Sequence, residues 1–452
     1  MQQTVKLQPK ESQPSNQNLK KQVGALDAIT MVIGIVIGSG IFFKSSPVFS
    51  NAGSPFLGIM AWIIGGLLTV ASALTISEIA TAIPKTGGLF VYIKELYSEK
   101  WAFLFGWVQS FIYVPGVTAA LSIIFVTQAT FFIPMSDFTQ KILAISLIFF
   151  LILVNIASTK IGSKIQVVAT IAKLIPIVII IAFGFMKGTV GGVSEVSKVS
   201  LSGASLAGFG SAILGTLWAY DGWVGVANMA GELKNPSKDL PKSIILGLSI
   251  TMIIYVLINI AIINVIPVDA VIASQTPASD AAVLMFGKSG AILISAGIMI
   301  SIFGAMNGYL LTGVRVPFAM ASEGLFPFAD KLSYLHPQSN TPVLAFVLEG
   351  ALAVLYVMSG SFEVLTTLAM FMVWFFFVMA VAGIFVLRKK FSHLNPAYKV
   401  PFYPFVPLVG IAGGIYILLS TLVTDFKTAV LGILITALGV PVYNHITKSK
   451  RA

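Results

Sequence analysis

Twelve apolar runs, most of them about as long as a helix needs to cross a bilayer, divide this chain. A hydrocarbon core about 30 Å thick takes roughly 20 residues as helix. The runs fall at about 23–48, 57–81, 101–128, 142–159, 165–186, 209–232, 243–266, 288–318, 342–359, 364–387, 402–422 and 428–446. The rest of the 452 residues cannot clothe such a core in water: 57% of the chain is hydrophobic, 10% is charged and its mean hydropathy is +0.94. Soluble domains carry about 25% charged residues. The expected fold is an all-α polytopic membrane protein with 12 transmembrane helices. A soluble globular protein, a disordered chain and a nucleic-acid binder are excluded. The net charge of +11 does not change this, because the charges lie mostly between the apolar runs. Residues 1–22 are polar and lead into no short apolar core with a cleavage site. They read as a cytoplasmic tail, not a signal peptide.

The basic residues orient the spans. With the N-terminus inside, 21 of the 28 Lys and Arg residues fall on inner segments. Six fall outside (Lys44, Lys141, Lys187, Lys198, Lys288 and Lys427), and Lys173 lies within a span. This bias follows the positive-inside rule and puts both termini in the cytoplasm of a multi-pass plasma-membrane protein. The anionic inner leaflet of the lipid bilayer is a sufficient partner for the basic charge. No cysteine is present, so disulfides, thiolate metal sites and cysteine nucleophiles are ruled out. His336, His393 and His445 lack ligand spacing, and there is no paired-carboxylate, Ser–His or nucleotide-binding constellation. Neither an enzyme nor a metal or cofactor site is expected. The short tails leave no output domain for a sensor.

Two of the runs are interrupted near their middles. Span 1 carries Gly38-Ser39-Gly40, and span 6 carries Tyr220-Asp221-Gly222. The first cluster is either small-residue helix packing or a point where the helix unwinds. In the second, Asp221 costs roughly 2.5–3.5 kcal/mol on insertion scales. It is either protonated and hydrogen-bonded within the bundle or part of a polar site. The breaks lie five spans apart. Five is odd, so a second set of five spans is inverted relative to the first. Interrupted segments at matching positions of inverted halves point to a secondary transporter's site. Amides released around Ser39, Gly40 and Ile41 suit a carboxylate. Carbonyls released around Val36, Ile37, Trp218 and Ala219 suit an ammonium. The pair of demands favours an α-amino acid.

Lys173 stands about nine residues, roughly 13 Å, into its span, too deep for easy snorkelling. It is read as facing the bundle interior. There it either ties span 5 to span-1 carbonyls around Gly34 as a fixed cation, exchanges a proton during transport, or is merely satisfied. Ser301 and Asn307 in span 8 either contact substrate or Lys173, or join helices. Glu78 is expected to reach water at the inner end; Glu349, nearer midspan, has no account.

These residues resemble the L-amino acid transporter family of the amino acid–polyamine–organocation superfamily, which has the LeuT-type fold. The matching pieces are GSGIF at Gly38–Phe42, IPKTGG at Ile83–Gly88, TIAKLIP at Thr170–Pro176, WAYDGW at Trp218–Trp223, GELKNPSKDLP at Gly231–Pro241, SIFGAMNG at Ser301–Gly308 and RVPFAMASEG at Arg315–Gly324. The likeness runs from about residue 20 to 447 and looks closest to bacterial serine/threonine and alanine–serine–cysteine exchangers. It implies a 5+5 inverted repeat with helices 1 and 6 broken. The organisation would be a tail at 1–22, a first repeat at 23–187, an extracellular connection at 188–208, a second repeat at 209–387, a cytoplasmic loop at 388–401, two further spans at 402–447 and a tail at 448–452. It implies sodium-independent exchange of small neutral L-amino acids (Ala, Ser, Thr, with Cys or Gly as further candidates) by alternating access. Proton-coupled symport is the alternative. Ser39 and Gly40 would bind the carboxylate, with Gly38 permitting the break, and carbonyls near Val36, Ile37, Trp218 and Ala219 would take the amine. Lys173 would stand where sodium-coupled relatives hold sodium, Tyr255 would work with it, and Trp218 would gate. The cysteine that links a heavy subunit in animal relatives is missing, so no disulfide-linked partner is expected. Asp221 replaces a glycine of several animal relatives, which leaves its role open.

Overall fold

A computed structural model describes residues 24–83, 88–157, 172–197, 205–224, 234–336, 341–394 and 396–451. The tail at 1–22, residues 84–87 of IPKTGG, the start of span 5, part of the 188–208 connection and the second half of span 6 into GELKNPSKDLP lie outside those residues. Every regular element among the described residues is a helix. That is what hydrocarbon demands of an open chain, because only a helix satisfies each backbone amide within its own segment.

In chain order the helices are α1 (Ala25–Val36), α2 (Gly40–Phe43), α3 (Ser45–Ala52), α4 (Pro55–Ala82), α5 (Gly88–Leu96), α6 (Glu99–Val108), α7 (Val114–Ala129), α8 (Asp137–Ala157), α9 (Leu174–Lys187), α10 (Gly192–Ser197) and α11 (Leu206–Ala219). Then come α12 (Pro236–Val265), α13 (Val268–Ala273), α14 (Pro277–Gly313), α15 (Arg315–Ser322), α16 (Ala329–Leu332), α17 (Val343–Ser359), α18 (Phe362–Lys390), α19 (Phe405–Thr424) and α20 (Phe426–Arg451). Among the described residues, eight helical stretches are long and apolar enough to cross a membrane, against the twelve expected. Leu174–Lys187, Leu206–Ala219 and Val343–Ser359 are apolar but shorter, and the first run is divided between α1, α2 and α3. The eighth run was expected to begin near 288. Helix α14 instead starts at Pro277 and bends at Gly287, where φ is 69° and ψ 178°.

Serines start several of these helices. Ser54, Ser98, Ser205 and Ser361 each accept a hydrogen bond from the amide three residues on, at 3.3, 3.4, 2.9 and 3.4 Å. Each satisfies one of the orphan donors of a helical first turn. Small residues bring the helices together. Val32 of α1 sits where a side chain on Gly247 of α12 would be, and Val114 of α7 does the same to Gly313 of α14. Helix α12 is packed by α1, α4 and α9, while α7 is packed by α8, α14, α17 and α18. The outer faces are apolar: Leu153 on α8, Val423 on α19 and Leu438 on α20 are all more than 60% exposed. Water would not tolerate this; lipid does.

One irregular turn bears on the site. Between α6 and α7 the chain forms a π-helical turn over Gln109–Tyr113. Pro115 follows, and it has no N–H to give the carbonyl of Phe111 four residues back. The Tyr356 hydroxyl of α17 donates to that carbonyl at 2.7 Å. The extra residue in the turn shifts the face on which Tyr113 emerges.

Glu78 does not reach water. It is buried near the end of α4, where Arg388 of α18 donates to it through Nε at 3.0 Å and Nη2 at 2.8 Å. The Val400 amide adds a third bond at 2.6 Å. A buried carboxylate needs such donors, and the guanidinium fork supplies two in parallel.

Candidate functional site

The polypeptide leaves helical geometry twice in the middle of the molecule. Helix α1 ends at Val36, residues Ile37–Ser39 form a bend, and α2 starts at Gly40. The amides of Gly38, Ser39, Gly40 and Ile41 donate no hydrogen bond to any described residue. Ser39, Gly40 and Ile41 are nevertheless buried. Ile37 is buried too, and its amide still bonds back to Ile33 at 3.0 Å. Three buried donors without acceptors, with the half-buried Gly38 amide beside them, are an unsatisfied demand that a bound anion would meet.

The second break begins after Ala219. Tyr220 to Trp223 turn, with Gly222 at φ 100°, a region that only glycine enters cheaply. The Trp218 carbonyl takes the Asp221 amide in a long 3.4 Å bond. The two breaks touch. A Cβ built on Gly40 would lie 2.6 Å from both Cα and Cβ of Ala219 and 3.0 Å from Cδ1 of Trp218. No larger residue fits at position 40 without moving α2 or α11.

Tyr255 of α12 bridges the breaks from behind. Its hydroxyl lies 3.0 Å from the Val36 carbonyl and 2.8 Å from the Ala219 carbonyl. One hydroxyl has one proton, so it donates to one carbonyl at a time. Lone pairs on both carbonyls remain for a further donor. The Tyr255 ring is held by Trp62 and Tyr220, at centroid distances of 5.4 and 5.0 Å. Lys173, buried at the start of α9, donates from Nζ to the Gly34 carbonyl of α1. Span 5 and span 7 thus both grip the last turn of α1.

Asp221 lies among tyrosines. The hydroxyls of Tyr113, on the π-helical turn, and Tyr309, on α14, both donate to its Oδ2, the latter at 2.8 Å. The Trp218 ring meets Phe362 edge-on at 5.9 Å. It also lines a cavity of about 280 Å³ beside the first turn of α18. That cavity holds Lys44, one of the six lysines assigned to outer segments. It is buried, with Nζ 2.7 Å from both Glu363 Oε2 and Thr366 Oγ1. Ser301 is buried with no partner for its hydroxyl among the described residues. Asn307 Oδ1 accepts from Asn155 of α8 at 2.9 Å, a helix-to-helix bond. The structure therefore gathers Gly34, Val36, Gly38–Ile41, Lys173, Trp218, Ala219, Asp221 and Tyr255 around the breaks and joins Asn307 to α8. Tyr113 and Tyr309 escaped the sequence reading. A tyrosine in an apolar span carries no periodic signal, and the π-helical turn alters the register.

No group of three or more potential metal ligands occurs among the described residues. What the breaks offer is a set of backbone donors and acceptors within a helical membrane protein. Sequence comparison gives the class, an amino-acid permease. Residues 23–442 match the amino acid permease family, to which the chain belongs. It is 43% identical over 433 residues to the serine/threonine exchanger SteT of Bacillus subtilis (strain 168), covering 96% of this chain and 98% of that protein. It is 30% identical over 424 residues to the b(0,+)-type amino acid transporter 1 of Mus musculus, covering 90% and 84%. The Asc-type amino acid transporter 1 of the same animal is 28% identical over 435 residues, covering 94% and 81%.

Proposed function

We propose that this chain is a sodium-independent antiporter that exchanges small neutral L-amino acids, serine and threonine among them, across a bacterial plasma membrane. The observation that carries this reading is the pairing at the breaks. Acceptor-less amides at Gly38–Ile41 stand beside the Val36 and Ala219 carbonyls, which retain lone pairs. A carboxylate and an ammonium on one carbon answer both. The exchanger and transporter relatives support the substrate class. The divided first run, the eight long apolar helices and the three shorter ones support twelve spans. The breaks five spans apart support two inverted sets of five, with alternating access as the rocking of one set of helices against another. Lys173 on the Gly34 carbonyl supports sodium independence: a fixed ammonium occupies the carbonyl that a dissociable cation would need. The basic residues support cytoplasmic termini.

The test is uptake of radiolabelled L-serine into proteoliposomes. Vesicles are empty or preloaded with unlabelled L-serine, with and without sodium and a pH gradient. Exchange predicts uptake only into preloaded vesicles, insensitive to both ions. Concentrative uptake into empty vesicles driven by external acid would replace it with proton symport through Lys173 or Asp221.

A further inference from the structure

We propose that a groove at the start of α12 binds the phosphate of an anionic phospholipid, with an acyl chain lying along the outer face of that helix. The groove has a volume of about 580 Å³ and lies between the first turns of α12 and the loop that follows α18. Lys238 and Lys242 come from the helix, Ala397 and Tyr398 come from the loop, and Pro241, Ile245 and Leu246 complete the lining. The two lysines are one turn apart and share a face. Both are exposed, and neither forms an ion pair among the described residues. The start of a helix already carries the positive pole of its dipole and favours acids. The acid of this first turn, Asp239, is engaged by the Asn235 amide at 3.0 Å. The two lysines therefore call for an anion from outside the chain. Tyr398 adds an independent demand. Its hydroxyl is buried and has no partner among the described residues. Burial pushes this phenol up to about 12, so it stays a donor. A phosphate oxygen would accept from it and from both ammonium groups.

The face that carries the lysines identifies the anion as a lipid. It continues as Leu246, Ile250 and Ile253, which are 40, 40 and 55% exposed. Steps of four, four and three residues from Lys242 keep them in one row. The lysines stand where the membrane-crossing stretch of α12 begins. Charge and apolar row thus follow each other as headgroup and acyl chain do in one molecule. A free phosphate would use the lysines and leave the row bare. Basic pockets between membrane helices suit anionic headgroups. The far wall of the groove is itself anchored: the Val400 amide, two residues beyond Tyr398, donates to Glu78 of α4 at 2.6 Å. A lipid seated here ties α12, whose Tyr255 bridges the two breaks, to that anchored loop.

The probes are dioctanoyl phosphatidylglycerol, dioctanoyl phosphatidylcholine and inorganic phosphate, each titrated against purified full-length protein in a neutral detergent. The readout is the rise in melting temperature with concentration. It needs neither transport nor knowledge of the side on which the groove lies. Phosphatidylglycerol is expected to stabilise wild type at a concentration about tenfold or more below phosphatidylcholine, and phosphate to give no shift in that range. Lys238→Gln combined with Lys242→Gln should raise the phosphatidylglycerol midpoint by about tenfold or more, and Tyr398→Phe should raise it by about threefold. Lys331→Gln combined with Lys448→Gln removes the same charge outside the groove and should leave the midpoint within about twofold. All four lysines are exposed, so these variants should fold. Equal midpoints for the two lipids on wild type would overturn the proposal. So would an unchanged midpoint in either groove variant. An equal loss in the control pair would also overturn it, because basic residues would then attract anionic lipid wherever they stand. Stabilisation by phosphate at the same concentrations would give the groove to a free anion and overturn the lipid.

Discussion

Lys173 and Gly40 show two ways in which one residue controls a backbone site. Lys173 acts by charge: a buried ammonium on the Gly34 carbonyl holds the last turn of α1 in place. Removing it leaves a buried carbonyl with a lost charge-assisted bond, worth about 1.5–3 kcal/mol, and a void where its stem lay. Lys173→Ala should still fold and reach the membrane while exchange drops by tenfold or more. Wild-type rates in reconstituted vesicles would dismiss the lysine from the mechanism. Gly40 acts by absence. With Ala219 at 2.6 Å from any Cβ, Gly40→Val must push the two breaks apart or fill the space in front of the amides. Serine binding should be abolished, as measured by the ligand-induced shift in melting temperature; undiminished affinity would put the carboxylate elsewhere. Both residues stand out in the sequence for the same reason, since a lysine or a glycine–serine–glycine cluster is conspicuous against leucine and isoleucine. Tyr113, Tyr309 and the buried Lys44 do not stand out. Their meaning comes from partners at least 88 residues away, which no local pattern announces.

At the scale of helices, position depends on a few long-range staples. The Glu78–Arg388 fork joins the C-terminal end of α4 to α18 across 310 residues. Arg388 also lies over the Tyr403 ring, 3.7 Å from its centroid, so the guanidinium is sandwiched between a carboxylate and an aromatic face. The Arg388 side chain is 31% exposed and Glu78 only 2%. Removing the arginine strands the buried member of the pair, at a cost of about 3 kcal/mol. Arg388→Ala should lower the apparent melting temperature in detergent, and Glu78→Gln combined with it should recover part of the loss. No recovery would mean that the aromatic contact, not the ion pair, carries the stability. Apolar runs reveal helices well and their joints poorly. Hydropathy averages over Pro115 and the π-helical turn before it, and the polar first turns of α14 mask a helix that begins at Pro277. The expectation that Glu78 reaches water failed for the same reason: distance along a helix says how deep a carboxylate lies, not which arginine waits beside it.

Across the whole molecule, charge and hydropathy together make a claim about sidedness that can be tested directly, because the chain contains no cysteine. Each introduced thiol reports alone. Lys389 lies in the last turn of α18, Lys427 in the first turn of α20 and Lys448 near its other end. One helix, α19, separates Lys389 from Lys427, and one helix, α20, separates Lys427 from Lys448. If both cross the bilayer, accessibility must alternate twice in this short stretch. Lys427→Cys should react with a membrane-impermeant maleimide in intact cells, and Lys389→Cys and Lys448→Cys only after permeabilisation. Lys141→Cys, ahead of the exposed apolar face of α8, should behave like Lys427→Cys. All four positions are solvent-side ends of long helices, so substitution should cost within about 0.5 kcal/mol of stability. The opposite pattern would invert the whole orientation, and with it the side of the membrane on which the Lys44–Glu363 cavity lies. Simultaneous labelling at Lys389 and Lys427 in intact cells would mean that α19 does not cross, and the twelve-span reading would fall while the two breaks and their donors stayed where they are.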